Sequence, residues 1–166
     1  MQTKKICLLG DFAIGKTSLT ARFVRQTFSE KYLTTVGVKI DSKVVEVSDK
    51  EQVKLVIWDI AGNDTFTSVN ENYLRGTAGV FLVADGCRKN TLSGAMNLRR
   101  MVQDVVGECP MVFAVNKVDL ISDWEVDQTD ITQLRDSGIT VYKTSAKTGE
   151  NVEAAFQQLA SLLMES

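Results

Sequence analysis

Two nearly continuous apolar runs, residues 79–84 and 111–115, restrict the fold of this chain most strongly. A strand with one wet face alternates apolar and polar side chains, whereas a strand apolar at every position needs cover on both faces. A parallel sheet sandwiched between helices supplies that cover. The remaining pattern agrees. Residues 5–9 form another short apolar run, followed by a glycine-bounded loop and a helix-like stretch over 16–26. Residues 39–47 and 53–58 flank the polar turn Ser48-Asp49-Lys50-Glu51 and read as an antiparallel hairpin, with Ile40, Val44 and Val45 expected inward. Residues 139–143 make a weaker strand. Helical spacing joins Leu92, Ala95, Met96, Val102 and Val106 across 91–106, and Val152, Ala155, Phe156, Leu159, Leu162 and Leu163 across 151–164. A shorter helix over 130–137 is closed by Gly138. The expected architecture is α/β: a six-stranded, mostly parallel sheet with one antiparallel strand, flanked by about five helices. With no repeat and no linker, the 166 residues are read as one domain, 1–166.

Composition removes several chemistries. The chain contains no histidine, so Ser-His-Asp and Cys-His hydrolysis, His-ligated zinc and a histidine general base are all excluded. Nineteen basic and twenty-one acidic residues give a net charge of −2, which offers no global field for nucleic acid or an anionic membrane. The three cysteines, Cys7, Cys87 and Cys109, lack any C-x-x-C spacing and are expected to be reduced thiols in a cytosolic protein, Cys7 as a small buried apolar residue. The apolar run near the N-terminus is too short for a signal segment, and no stretch is long enough to span a bilayer. The chain ends Leu-Met-Glu-Ser, without a prenylation box. A cytoplasmic monomer without an intrinsic anchor is expected; peripheral membrane attachment would require a lipidated tail beyond this chain.

In open α/β sheets ligands bind beyond the carboxyl ends of the strands. The loops after Leu9, Trp58, Ala84, Val115 and Lys143 are therefore expected along one edge. The first reads Gly10-Asp11-Phe12-Ala13-Ile14-Gly15-Lys16-Thr17, a G-x-x-x-x-G-K-[ST] sequence between a strand and a helix. Its glycines let the backbone curl so that successive N–H groups form an anion nest, and the helix N-terminus adds its dipole. Lys16 brings a charge to the outer phosphates, and Thr17 a hydroxyl for Mg²⁺. Asp59 ends the third strand, where an acidic residue either supports a magnesium shell or caps a helix. Gly62, lacking a Cβ, could bring its N–H close to a terminal phosphate. Asn116-Lys117-Val118-Asp119 and Ser145-Ala146-Lys147 follow two later strands. Taken alone, the first is compatible with a surface turn and the second with a helix-entry loop. Together they suit guanine, because one carboxylate can accept from both N1–H and the exocyclic amine, a pair that adenine lacks. That pairing argues against a kinase or ATPase built on the same phosphate loop.

With these motifs in place, the chain resembles a small GTPase of the Ras superfamily along essentially its whole length. Trp58-Asp59-Ile60-Ala61-Gly62 and Thr35-Val36-Gly37-Val38 make it most similar to the Rab branch. The resemblance implies a P-loop NTPase fold, Mg²⁺ as cofactor, GTP and GDP as ligands, and hydrolysis of GTP. It further implies phosphate contacts from Ala13, Ile14, Gly15, Lys16, Thr17 and Ser18, and a metal shell from Thr17, Thr35 and Asp59. Phe28 would pack edge-on against the guanine, which would be read by Asn116, Lys117, Asp119, Ser145, Ala146 and Lys147. Lys16, Thr35, Gly62 and Asn63 would form the catalytic set. Residues 28–37 and 59–72 would be the switch segments met by effectors, exchange factors and activating proteins. Ile40, Trp58 and Tyr73 fall at an apolar effector-facing cluster in that branch; ordinary core is the other reading of these positions.

Three residues depart from the family pattern, among them Ile40, where the Rab branch usually has an aromatic. Asn63 replaces the glutamine that orients the attacking water, shortening the reach by about 1.3–1.5 Å. Since misplacement of about 1 Å can cost on the order of 10²-fold, slow intrinsic hydrolysis is expected. Phe12 occupies a position usually held by a small residue, where a ring would obstruct an arginine finger or merely pack. A guanine-nucleotide-binding scaffold deficient in hydrolysis is the alternative that Asn63 and Phe12 leave open.

Overall fold

The computed structural model describes residues 1–11, 13–26, 38–60 and 71–165. Its frame is one six-stranded sheet. The strands are β1 (Gln2–Leu9), β2 (Val38–Ser48), β3 (Glu51–Ile60), β4 (Gly79–Asp85), β5 (Met111–Asn116) and β6 (Thr140–Lys143), in the order β2-β3-β1-β4-β5-β6. All neighbours are parallel except β2 and β3, which form the expected hairpin. The helices are α1 (Lys16–Arg25), α2 (Asn90–Val105), α3 (Gln128–Asp136) and α4 (Val152–Glu165), with 3₁₀ segments at Glu71–Leu74 and Val118–Asp123.

The pleat explains the layers. In β1, Ile6 and Leu8 face one way and join Leu55, Ile57, Phe81 and Val83 beneath α1 and α4. Cys7 and Leu9 face the other way and join Val80, Leu82 and Val115 beneath α2 and α3. Every residue of β4 is buried, as a doubly covered central strand requires. Phe156 of α4 stacks between Phe23 and Phe81, with ring centroids 4.1 and 4.3 Å away. Burying such a side chain contributes about 1.5–3 kcal/mol.

Two inward assignments are corrected. Val45 is buried, but Ile40 is 52% exposed and Val44 45% exposed. Residues 44 and 45 cannot share a face in a period-two strand. β2 lies at the sheet edge, and only its Val45 and Val47 face packs on the core of α1 and α4. The start of α3 also differs. Asp127 caps it by accepting from the Asp130 N–H at 2.9 Å, while the Asp130 carboxylate accepts from the Asp127 N–H at 3.0 Å. This reciprocal pair starts the helix two residues before the position suggested by the apolar spacing. Gly138, at φ +89°, follows the end of α3 as expected.

The parallel pairing brings the carboxyl ends of β1, β3, β4, β5 and β6 to one edge of the sheet. Among the described residues, no helix is long and apolar enough to cross a membrane.

Candidate nucleotide site

The loop between β1 and α1 is shaped by close approaches. A Cβ on Gly10 would lie 2.4 Å from the Val83 carbonyl oxygen, so the chain leaves β1 hard against β4. Gly15 has φ +96°, and a Cβ there would lie 2.3 Å from Asn116 Nδ2. Ala13 is also left-handed, at φ +58°. The residue at the N-cap, Gly15, makes no side-chain capping bond, and the first N–H groups of a helix have no intrahelical acceptor. The positive end of a ten-residue helix is thus presented at this edge.

Lys16 and Thr17 open that helix. Burial draws the Lys16 ammonium pKa down, while the carboxylates of Asp59 and Asp11 pull it back up. Asp11 is pushed the other way by burial, against the charges of Arg88 and Lys16. Thr17 Oγ1 donates to Asp59 Oδ2 at 2.7 Å. Asp59 is fully buried at the end of β3, so this pair joins the phosphate-type loop to the next strand. A hydroxyl and a carboxylate are hard oxygen donors of the kind Mg²⁺ takes. Among the described residues, no three acidic or cysteine side chains converge on a potential metal site. Ser18 lies half-buried in the first turn.

The loop after β5 locks onto the first loop. Asn116 is buried; its Nδ2 donates to the Ile14 carbonyl at 3.1 Å, and its Oδ1 accepts from Thr144 Oγ1 at 3.1 Å. Lys117 is left-handed at φ +76°. Its ammonium lies 2.8 Å from Asp85 Oδ2 and donates to the Ala13 carbonyl at 3.4 Å. Its backbone carbonyl accepts from the Trp124 indole N–H at 2.7 Å. Asp119 is exposed, and its Oδ1 accepts from Ser145 Oγ at 2.8 Å. Ser145 Oγ in turn accepts from the Thr148 N–H at 3.1 Å. Ala146 is buried and Lys147 exposed. The Ala146 N–H has no protein acceptor among the described residues.

The structure thus brings together Ala13, Ile14, Gly15, Lys16, Thr17, Ser18, Asp59, Asn116, Lys117, Asp119, Ser145, Ala146 and Lys147 along one edge. Phe12, Phe28, Thr35, Gly62 and Asn63 lie outside the described residues.

Two residues of this edge escaped the sequence reading. Asp85, buried at the end of β4, accepts from the Cys87 N–H at 2.9 Å and Arg88 Nε at 3.1 Å, besides pairing with Lys117. Burial works against its ionisation, but the bonds from Lys117, Cys87 and Arg88 more than offset this and hold its carboxyl below the ordinary range. The strand-end rule that selected Asp59 would have found it. Arg22 donates through Nε to the Ala146 carbonyl at 2.7 Å and through a terminal nitrogen to the Lys147 carbonyl. Nothing local in the sequence signals a contact spanning more than 120 positions.

Comparison with known proteins decides the family. A profile of the Ras family matches residues 5–165. The chain belongs to the Ras family. It is 34% identical over 172 residues to the Ras-related protein Rab-7L1 of Rattus norvegicus, covering 98% of this chain and 82% of that protein. The Mus musculus protein of the same name matches to the same extent. Ras-related protein Rab-13 of Canis lupus familiaris is 32% identical over 165 residues, covering 98% of this chain and 81% of that protein. The chain is therefore a Rab-like small GTPase of the Ras superfamily, a switch protein of a guanine-nucleotide-binding family.

Proposed function

We propose that this Rab-like chain is a single G domain, 1–166, that binds GTP and GDP with Mg²⁺ and hydrolyses GTP slowly. The observation that supports this best is the Asn116 amide. It clamps Ile14 of the first loop to Thr144 beside the Ser145–Lys147 loop, so phosphate recognition and base recognition share one rigid edge.

In this reading Ala13, Ile14, Gly15 and Ser18 supply phosphate-loop contacts, and Lys16 balances charge on the outer phosphates. The low dielectric that depresses the Lys16 pKa also strengthens its attraction to an anion. Asp119 accepts from the guanine N1–H and amine, held at the right angle by Ser145. The Ala146 N–H donates to O6, the Lys117 stem covers one face of the base, and Phe28 packs edge-on. Lys147 lies at the rim.

Thr17, Thr35 and Asp59 would hold Mg²⁺, which when bound supplies charge stabilisation and alignment of phosphate oxygens. Gly62 offers an N–H to the terminal phosphate, and Asn63 orients the attacking water with a side chain one methylene short. Catalysis is then positioning and electrostatics. The γ-phosphate would order residues 28–37 and 59–72, and hydrolysis would release them.

Ile40 pairs with Trp58 across the hairpin, and the Trp58 ring lies 6.2 Å from that of Tyr73. These three side chains form the apolar patch offered to effectors. Exchange factors and activating proteins would act at the switch segments of a cytoplasmic monomer that needs no nucleic acid.

Turnover of γ-labelled GTP with and without Mg²⁺ tests the proposal. Slow, Mg²⁺-dependent release of phosphate is expected. Tight GTP binding without release would instead favour the scaffold reading that Asn63 and Phe12 raise, and no GTP binding refutes both.

A further inference from the structure

We infer that Arg22 is a positioning residue for guanine, setting recognition at O6 through the Ala146 peptide; this rests on the guanine-site reading above. Arg22 stands on α1, the helix that opens with Lys16 and Thr17. Its guanidinium reaches three backbone carbonyls: Ala146 through Nε at 2.7 Å, Lys147 through one terminal nitrogen, and Gln26 at 3.5 Å through the other. Its Cδ lies 3.7 Å from the position a Gly149 Cβ would take, so the stem packs along the same loop. A planar fork with fixed donor directions suits two neighbouring carbonyls in a way that a lysine ammonium does not.

The geometry passes from these carbonyls to one N–H. The Ser145 carbonyl accepts from the Gly149 N–H at 2.8 Å. A trans peptide points its N–H opposite its C=O, so that bond aims the Ala146 N–H away from Gly149. Arg22 then fixes the next two carbonyls, those of Ala146 and Lys147. Three consecutive peptide planes are thereby held, and the backbone at Ala146 has little freedom to swing its N–H. Arg22 touches no part of the nucleotide in this account. It stiffens the donor, and it fastens that donor to the helix that also carries the phosphate-binding residues.

The test compares GDP with 6-thioguanosine diphosphate. The analogue keeps N1–H and the 2-amino group but presents a weak sulfur acceptor at position 6. Wild-type protein should prefer GDP. Arg22→Ala should weaken GDP about 10-fold, the scale of a charge-assisted hydrogen bond, but 6-thioguanosine diphosphate by only about 3-fold or less, narrowing the preference. Arg22→Gln, whose amide reaches only one carbonyl, should fall between, and it carries the same comparison should the alanine variant fail to fold. An unchanged GDP affinity, or equal weakening of both nucleotides, overturns the role of Arg22 and leaves the guanine site standing. A wild-type protein that binds GDP without preferring it over the analogue removes both this inference and the O6 contact. A wild-type protein that binds neither removes the site itself.

Discussion

Gly15→Ala strikes the point where the loop after β1 meets the end of β5, and its cost has two separable parts. The backbone there is left-handed at φ +96°, a conformation that costs an L-residue about 1–2 kcal/mol. The new methyl would also lie 2.3 Å from Asn116 Nδ2. That amide is buried and bridges the Ile14 carbonyl and Thr144 Oγ1, so moving it breaks a satisfied arrangement, at about 1–3 kcal/mol. The sum, about 2–5 kcal/mol, is a large share of the marginal stability of a domain this size. Asn116→Ala removes the obstructing atoms. In that background Gly15→Ala should cost only its backbone share, so a double-mutant cycle should show the two changes less than additive by about 1–3 kcal/mol. The assay is urea unfolding of the four proteins at one fixed GDP concentration, since bound nucleotide shifts apparent stability. Additivity within about 0.5 kcal/mol would mean that Asn116 yields at no cost, and the idea of a shared rigid edge would fail.

Asp119→Asn should shift base preference from guanine toward xanthine in competition binding; retained guanine selectivity contradicts the reading of Asp119. Asn63→Gln should accelerate single-turnover hydrolysis by restoring reach to the attacking water, and an unchanged rate removes Asn63 from catalysis. Asp85 makes a pH prediction. Its folded pKa lies below the unfolded one, so its ionised form stabilises the fold above the ordinary carboxylate pKa. That contribution is lost as pH falls through the depressed folded value. Asp85→Asn should therefore cost about 1–3 kcal/mol at neutral pH, a modest figure because Lys117 and Arg88 are each about a third or more exposed and can turn to water. It should also flatten the acid side of the stability profile. Denaturation midpoints over roughly pH 3–7 measure this, and parallel profiles for the two proteins would refute it.

What could be read from the sequence follows from the range of the forces involved. The doubly buried β4 and β5 announce themselves because every position is apolar, and the hairpin because its turn is polar between alternating runs. The glycine-rich loop is legible because nest, helix start and lysine lie within eight consecutive residues. β2 was misjudged at Ile40 and Val44 because apolar content alone does not reveal which face of an edge strand is covered. Local capping by Asp127 decided the start of α3 more than apolar spacing did. Long-range polar contacts were the least visible. Thr144 under Asn116, Asp85 under Lys117 and Arg22 against Ala146 join segments that only the completed sheet brings together.

The identity of the tightly held nucleotide tests the central claim most directly. Protein purified gently, then denatured and analysed by chromatography, should release close to one equivalent of GDP or GTP and no adenine nucleotide. Release of an adenine nucleotide, or none of any kind even after incubation with GDP or GTP, would contradict the account.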